Sequence, residues 1–203
     1  MPNGVSGSAA LPGSGAGGAL ATALDRAERL LAFASASHAR ACACLLLVAL
    51  CLVCFLPGLA SLQPMDRDEP RFAQSAKQML ESGDLVDIRF QAEARHKKPV
   101  GIYWAQAGVV AAGEALGVPE ARTRIWLYRI PSLLGGLGAA LLTYWAALAF
   151  LDRRASLLAA ALFTACIDLV AEAHLAKTDA MLTACAVAAM GALARPWTGR
   201  GRA

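Results

Sequence analysis

Long apolar runs, separated by short polar stretches, dominate the pattern of this chain. Each run approaches the roughly 20 residues that a helix needs to cross a bilayer, although the last is shorter and two carboxylates enter the far end of the third. The runs cover residues 41–62, 130–151, 155–173 and 180–194. A signal peptide is the alternative for the first run, but its apolar core exceeds the roughly 7–15 residues typical of one. The pattern predicts an all-α membrane protein with about four crossings.

A fifth apolar run, residues 100–113, is too short to span a bilayer. Tyr103 and Trp104 near its start are residue types enriched at the membrane interface. The pattern therefore predicts a juxtamembrane or half-inserted helix on the outer side. Residues 66–99 form a polar outer loop with balanced charge.

Composition agrees with this class, because 57% of the 203 residues are hydrophobic and only 17% are charged. No nucleic-acid motif is present, so membrane lipids rather than nucleic acids are the expected surroundings. The Cys51–Cys54 spacing lies inside an apolar run without a second cysteine pair, which favours lipid-facing side chains over a metal site. Residues 1–40 read as a disordered cytoplasmic segment with a short helix at 25–36, and residues 196–203 as a tail.

The positive charges suggest an orientation. If the short helix does not cross, the Arg153-Arg154 turn shares one side with the arginines near both termini, and that side is cytoplasmic by the positive-inside rule. The loop 66–99 and a second polar cluster around Lys177 and Asp179 then share the outer face.

The most charged stretch, residues 66–71, directly follows the first apolar run. Ionisable groups at the membrane boundary are candidates for function. The same residues predict a helix start, with Asp68 as N-cap, Pro70 in the first turn and Gly83 as the stop. Asp68 is therefore either a capping residue or a functional carboxylate.

Several short motifs resemble, in order, those of the bacterial polyprenyl-phosphate-dependent glycosyltransferases. That family includes lipid A aminoarabinose transferases and relatives of protein O-mannosyltransferases. The motifs are Asp68-Glu69-Pro70-Arg71-Phe72-Ala73, Met79-Leu80-Glu81-Ser82-Gly83-Asp84, Lys98-Pro99, Tyr103-Trp104, Arg129-Ile130-Pro131-Ser132 and Lys177-Thr178-Asp179-Ala180-Met181-Leu182. The resemblance covers residues 45–195 and implies the N-terminal part of a C-type glycosyltransferase helix bundle.

The resemblance implies catalytic carboxylates at Asp68 and Asp179. It implies that Lys98 binds the donor phosphate, with Arg71 and Glu69 as further substrate-binding residues. A carboxylate can take the proton of an attacking hydroxyl, and a cation can stabilise the leaving phosphate. It leaves a divalent metal ion open as a cofactor, with Lys97 standing where the family often has an acidic residue.

The implied reaction is transfer of a hexose or pentose from a polyprenyl-phosphate donor to a lipid or protein acceptor, at the periplasmic face of a bacterial inner membrane. Family members have more helices, so we expect an N-terminal fragment whose own activity is open. The alternative is a non-catalytic membrane subunit or a transporter fragment. A transporter would place its charges near the bilayer midplane, whereas these lie at the ends of apolar runs.

Overall fold

The computed structural model describes residues 38–64 and 66–199. Residues 1–37 of the predicted disordered segment, including the predicted helix at 25–36, and the last two arginines lie outside these residues. Residues 38–40 are described and belong to the first helix. The described elements are α1 (His38–Phe55), α2 (Glu69–Ser82), β1 (Arg89–Phe90), β2 (Glu93–Ala94), α3 (Gly101–Ala115), a 3₁₀ turn (Ala121–Thr123), α4 (Ile125–Ala147), α5 (Arg153–Thr164), α6 (Ile167–His174) and α7 (Asp179–Trp197).

Three helices, α1, α4 and α7, are long and apolar enough to cross a membrane, and the bent pair of α5 and α6 is a fourth candidate if its two helices make one span. The prediction of an all-α membrane protein with about four crossings is therefore confirmed. Outward-facing side chains such as Leu45, Val53 and Leu193 are more than 65% exposed, as expected for surfaces that meet lipid. A two-residue antiparallel hairpin, β1–β2, is the only strand pairing among the described residues.

Two predicted helix ends differ from the observed ones. Helix α1 ends at Phe55 instead of continuing to residue 62, because Pro57 and Gly58 follow and Gly58 has a left-handed φ of 87°. Helix α4 begins at Ile125 instead of residue 130. Arg129 enters its first turns because a buried carboxylate pairs with its charge, a contact that hydropathy does not register.

The predicted third crossing is broken between Thr164 and Ile167, where α5 and α6 meet at 56°. Thr164 Oγ donates to the carbonyl of Ala160, a bond of the kind that bends helices, and Cys166 has extended backbone angles. After the bend, α6 packs against α4, where a Cβ placed on Gly136 would lie 3.1 Å from that of Ala173.

Helix α4 is the centre of the bundle and runs parallel to α7, its most extensive neighbour. A Cβ placed on Gly135 would lie 2.6 Å from the backbone nitrogen of Met181, so the two helix backbones nearly touch there. At the other ends of the same helices, Arg195 Nη2 donates to the carbonyl of Trp145 at 3.1 Å. The start of α4 and the start of α7 therefore lie at one end of the bundle, with Arg195 at the opposite end.

The short apolar run forms α3, which has 15 residues and is not among the candidate spans of the described chain. Its placement at a membrane interface stays a prediction. Trp104 is half exposed, but Tyr103 is completely buried and stacks on Phe72 with 5.3 Å between ring centroids. The prediction of Tyr103 as an interface residue is therefore wrong, since this ring fastens α3 to α2 instead.

Two cores result from this packing. One fills the space between α2, α3 and the start of α4, and the other lies among α1, α4, α6 and α7. Cys51 belongs to the second core and is 1% exposed, which corrects its prediction as a lipid-facing side chain. The outer helices α2 and α3 are thus fixed to the same end of α4 where α7 begins.

Candidate functional site at the polar end of the bundle

A buried ion pair joins α2 to α4 at the polar end of the bundle. Arg129 Nε donates to Glu69 Oε1 at 2.7 Å and Nη2 donates to Oε2 at 3.2 Å. Both side chains are 1% exposed or less. The two parallel bonds are the bidentate geometry that arginine and carboxylate groups favour.

The remaining hydrogen-bonding capacity of this pair ties in two further segments. Arg129 Nη1 donates to the carbonyls of Leu59 and Leu62, in the turn that follows α1. Glu69 Oε1 also accepts the backbone N–H of Ala176, in the linker between α6 and α7. Because an incompletely satisfied buried charge is costly, these extra bonds explain how the pair is tolerated in an apolar core.

A second charged cluster lies at the surface above this pair and centres on Lys177. Its Nζ donates to Asp66 Oδ2 at 2.8 Å and to Glu172 Oε1 at 3.2 Å, and lies 3.8 Å from Asp179 Oδ2. The Lys177 carbonyl accepts the hydroxyl of Ser132 on α4. One ammonium therefore contacts three carboxylates, which come from the segment before α2, from α6 and from α7.

The electrostatics of this cluster follow from its contacts. The backbone N–H of Asp68 and the ammonium of Lys177 lower the pKa of Asp66 below its usual range. Burial on its own would lower the pKa of Lys177, but its bonds to Asp66 and Glu172 outweigh burial, and the pKa is raised. Both groups are thus charged over the whole neutral range.

Asp68 lies beside this cluster, at the start of α2. Its backbone N–H donates to Asp66 Oδ1 at 3.0 Å. Its carboxylate accepts from Arg71 Nη1 at 3.0 Å, and Arg95 Nη2 lies 3.7 Å away. The helix begins where the sequence predicts, but the Asp68 side chain makes no capping bond, because its carboxylate faces the two guanidinium groups.

The predicted site residues separate into two groups. Asp68, Arg71 and Asp179 lie in one continuous polar array through Asp66 and Lys177. Lys98 is exposed, and none of the contacts within residues 38–64 and 66–199 joins it to this array. Glu69 is completely buried with both carboxylate oxygens occupied, so contact with a substrate would require the Arg129 pair to open.

Sequence reasoning missed several side chains of this site. Arg95 is only 11% exposed, lies next to Asp68 and covers the Phe72 ring at 5.7 Å. Asp66 was read only as part of a charged stretch, and Arg129 only as part of a motif. What they share in the sequence is a charge close to an apolar run. Such a charge is expected to have an oppositely charged partner, but the sequence does not show which residue the partner is.

A metal site is not evident in the part of the chain that is described. No group of three or more His, Cys, Asp or Glu side chains there is arranged to hold a metal ion. Three carboxylates approach one another around Lys177, but the ammonium lies between them. The divalent metal that the resemblance leaves open therefore has no assigned ligands.

An apolar groove of about 600 Å³ opens beside the polar array, between the turn after α1 and helix α6. Its walls are mainly aliphatic. Asp66, Arg67 and His174 are the charged and polar side chains in its lining. The groove thus offers an apolar surface that adjoins charged groups, which suits an amphiphilic molecule.

Comparison with known proteins identifies the family. No curated protein and no solved structure gave a significant match. The profile of one family, described as dolichyl-phosphate-mannose-protein mannosyltransferase, matches residues 40–196, which is more than half of the chain. The match contains the bundle, the polar array and the groove. The chain therefore belongs to the dolichyl-phosphate-mannose-protein mannosyltransferase family of membrane glycosyltransferases.

Proposed function

We propose that this protein transfers a sugar from a polyprenyl-phosphate donor to a hydroxyl group of a protein acceptor at the outer face of the membrane. One observation carries the proposal. Asp68, which precedes α2, and Asp179, the first residue of α7, belong to one polar array beside an apolar groove. Family membership supports mannose as the sugar and a protein as the acceptor.

The groove supports a lipid-linked donor. Its aliphatic walls suit an isoprenoid chain, and Arg67 in its lining suits the phosphate to which the chain is attached. The sugar would then lie over the polar array. Lys98 has no contact with the polar array among the described residues, and its exposed ammonium would bind the phosphate when donor is present.

The chemistry assigns a role to each group. The acceptor oxygen attacks the anomeric carbon of the sugar, and the bond from that carbon to the phosphate oxygen breaks. Asp68 takes the hydroxyl proton, while Asp179 orients the acceptor or the sugar. The lipid phosphate leaves with the bonding electrons, and Lys98 and Arg71 stabilise its charge. Arg71 lies 3.0 Å from Asp68, so phosphate binding would draw this guanidinium away and free the carboxylate.

The charge pattern supports the outer face as the place of transfer, and the resemblance to bacterial transferases supports a bacterial inner membrane. Arg153, Arg154 and Arg195 lie at the end of the bundle opposite the polar array, and positive charges favour the cytoplasmic side. The alternative is a transporter fragment or a non-catalytic membrane subunit. The charges lie at the ends of the spans instead of near the bilayer midplane, and this position favours sugar transfer.

The reaction is tested with purified protein in lipid vesicles, supplied with polyprenyl-phosphate carrying labelled mannose and a serine- and threonine-containing peptide. We expect label to appear in the peptide. Parallel vesicles contain an aminopentose donor with a lipid acceptor. Label in the lipid alone would contradict mannose and protein as substrates, and no label with either pair would contradict transfer by this chain.

A further inference from the structure

Asp66, together with Lys177, connects the two chain segments that carry the candidate catalytic carboxylates. Asp66 Oδ1 accepts the backbone N–H of Asp68 at 3.0 Å, and Oδ2 accepts Lys177 Nζ at 2.8 Å. The same Nζ lies 3.8 Å from Asp179 Oδ2. Both oxygens of Asp66 are thus directed at groups that adjoin a candidate catalytic residue.

We propose that Asp66 and Lys177 are positioning residues that hold the Asp68 and Asp179 segments in a fixed arrangement, and that they act through those segments instead of on the reacting atoms. The proposal rests on the proposed function for its catalytic consequence. The arrangement itself rests on geometry, because 111 positions separate the two members of the bridge.

The burial of Lys177 supports this role. Its side chain is only 13% exposed, although lysine normally extends its ammonium into water. The charge of Lys177 is offset by Asp66, Glu172 and Asp179, and its carbonyl is bound by Ser132. An ammonium held from several sides has little freedom to follow a substrate, whereas it is well placed to fix the groups around it.

The contacts of Asp66 also support a positioning role. Asp68 faces Arg71 and Arg95, so its carboxylate is oriented by its own partners. Asp66 acts instead on the backbone of Asp68, and therefore on the path by which the chain enters α2. Loss of the bridge would let this entry and the α6–α7 linker move independently. A displacement of about 1 Å between reacting groups is enough to slow an enzyme about 10²-fold.

The test combines a distance with a rate. Spin labels are attached through Arg67→Cys in the first outer loop and Leu182→Cys on α7, in a background where the six native cysteines are replaced. Both positions are exposed. The distance distribution between the labels is measured in lipid vesicles for the parent, Lys177→Met, Lys177→Arg and Asp66→Asn. Lys77→Met is the matched control, because it removes an ammonium that pairs with Glu81 at 3.7 Å outside the array.

We expect a narrow distribution in the parent, in Lys177→Arg and in Lys77→Met, and a broad one in Lys177→Met and Asp66→Asn. In unlabelled protein, Lys177→Met should lower kcat for sugar transfer about 10²-fold with little change in the KM for donor. Lys177→Arg should recover most of the rate, which a loss of folded protein would not allow.

An unchanged distance in Lys177→Met would overturn the bridge. A broad distance with an unchanged kcat would overturn its role in positioning. A large rise in KM with an unchanged kcat would show that Lys177 binds the donor, and would equally overturn the proposal. If the parent transfers no sugar, the proposed function fails in its own assay, and the distances still decide whether the bridge holds the two segments.

Discussion

Arg129 and Glu69 form a completely buried ion pair, with Arg129 Nε 2.7 Å from Glu69 Oε1, although 60 positions separate them in the chain. The pair also binds the turn after α1 and the linker before α7. Four parts of the chain therefore meet at two side chains. Glu69 follows Asp68 in the chain and binds the backbone of Ala176, which precedes Lys177, so the buried pair helps to fix both sides of the polar array.

Arg129→Met should destabilise the protein by about 3–5 kcal/mol, because it leaves the Glu69 carboxylate charged and buried without its partner. Thermal unfolding in detergent measures the change. The double variant Arg129→Met with Glu69→Leu removes both charges and should lose less stability than the single variant. Equal unfolding temperatures for Arg129→Met and the parent would contradict the buried pair.

Gly135→Ala should destabilise the bundle by about 1–3 kcal/mol, because the added methyl group would meet the α7 backbone at 2.6 Å. Gly138→Ala is the matched control in the same helix, since its new Cβ would lie 3.7 Å from Ala184, an ordinary contact. The control should be neutral or gain roughly 0.5–1 kcal/mol from the better helix former. Similar losses in both variants would argue against the close approach of α4 and α7.

The helices themselves were largely predictable, because long apolar runs report membrane spans without any tertiary information. The ends of α1 and α4 were not. Helix α1 stops before Pro57 and Gly58, and α4 begins at Ile125 instead of residue 130, with Arg129 paired in its first turns. A helix cap at Asp68 was a local prediction, and it fails because Arg71 and Arg95 compete for the carboxylate.

The candidate site was predictable only in part. The motifs point to Asp68 and Asp179, but nothing in the sequence pairs Asp66 with Lys177 or Glu69 with Arg129. Such pairings depend on which loops share one end of the bundle. Orientation arguments predict that shared end, but not the individual atoms that meet there.

The stability contributed by the Asp66–Lys177 bridge should depend on pH at both extremes. The folded pKa of Asp66 is below its ordinary 3.8, so its contribution is present above that value and is lost as the pH falls through the lower folded value. The folded pKa of Lys177 is above 10.5, so its contribution is present below 10.5 and is lost at higher pH.

The difference in unfolding temperature between the parent and Asp66→Asn should therefore be constant from about pH 5 to pH 9 and shrink below about pH 4. Glu81→Gln, which alters the exposed pair with Lys77, provides the comparison and should change stability little. A difference that grows as the pH falls would be the opposite of this expectation.

The orientation predicts opposite labelling at two exposed positions. Ala92→Cys in the first outer loop should react with an impermeant thiol reagent in intact cells. Arg154→Cys in the first turn of α5 should not, because positive charges favour the cytoplasmic side. Each variant is made in the background without native cysteines, and both should react after the cells are opened. Labelling of position 154 in intact cells would reverse the proposed orientation or add a crossing.

The proposed role of Asp68 as the base that takes the proton of the acceptor hydroxyl is tested by one substitution. Asp68→Asn preserves the size of the side chain but removes the base, so sugar transfer should fall by about 10²–10⁴-fold with normal expression and an unchanged unfolding temperature.

Asp87→Asn is the matched control, since it removes a charge from the same outer loop, where Asp87 pairs with Arg89. It should transfer sugar at close to the parent rate. The deciding measurement is kcat for transfer from polyprenyl-phosphate mannose to peptide in vesicles that contain each variant. A large loss confined to Asp68→Asn is the predicted result, and a normal rate in that variant would contradict the account.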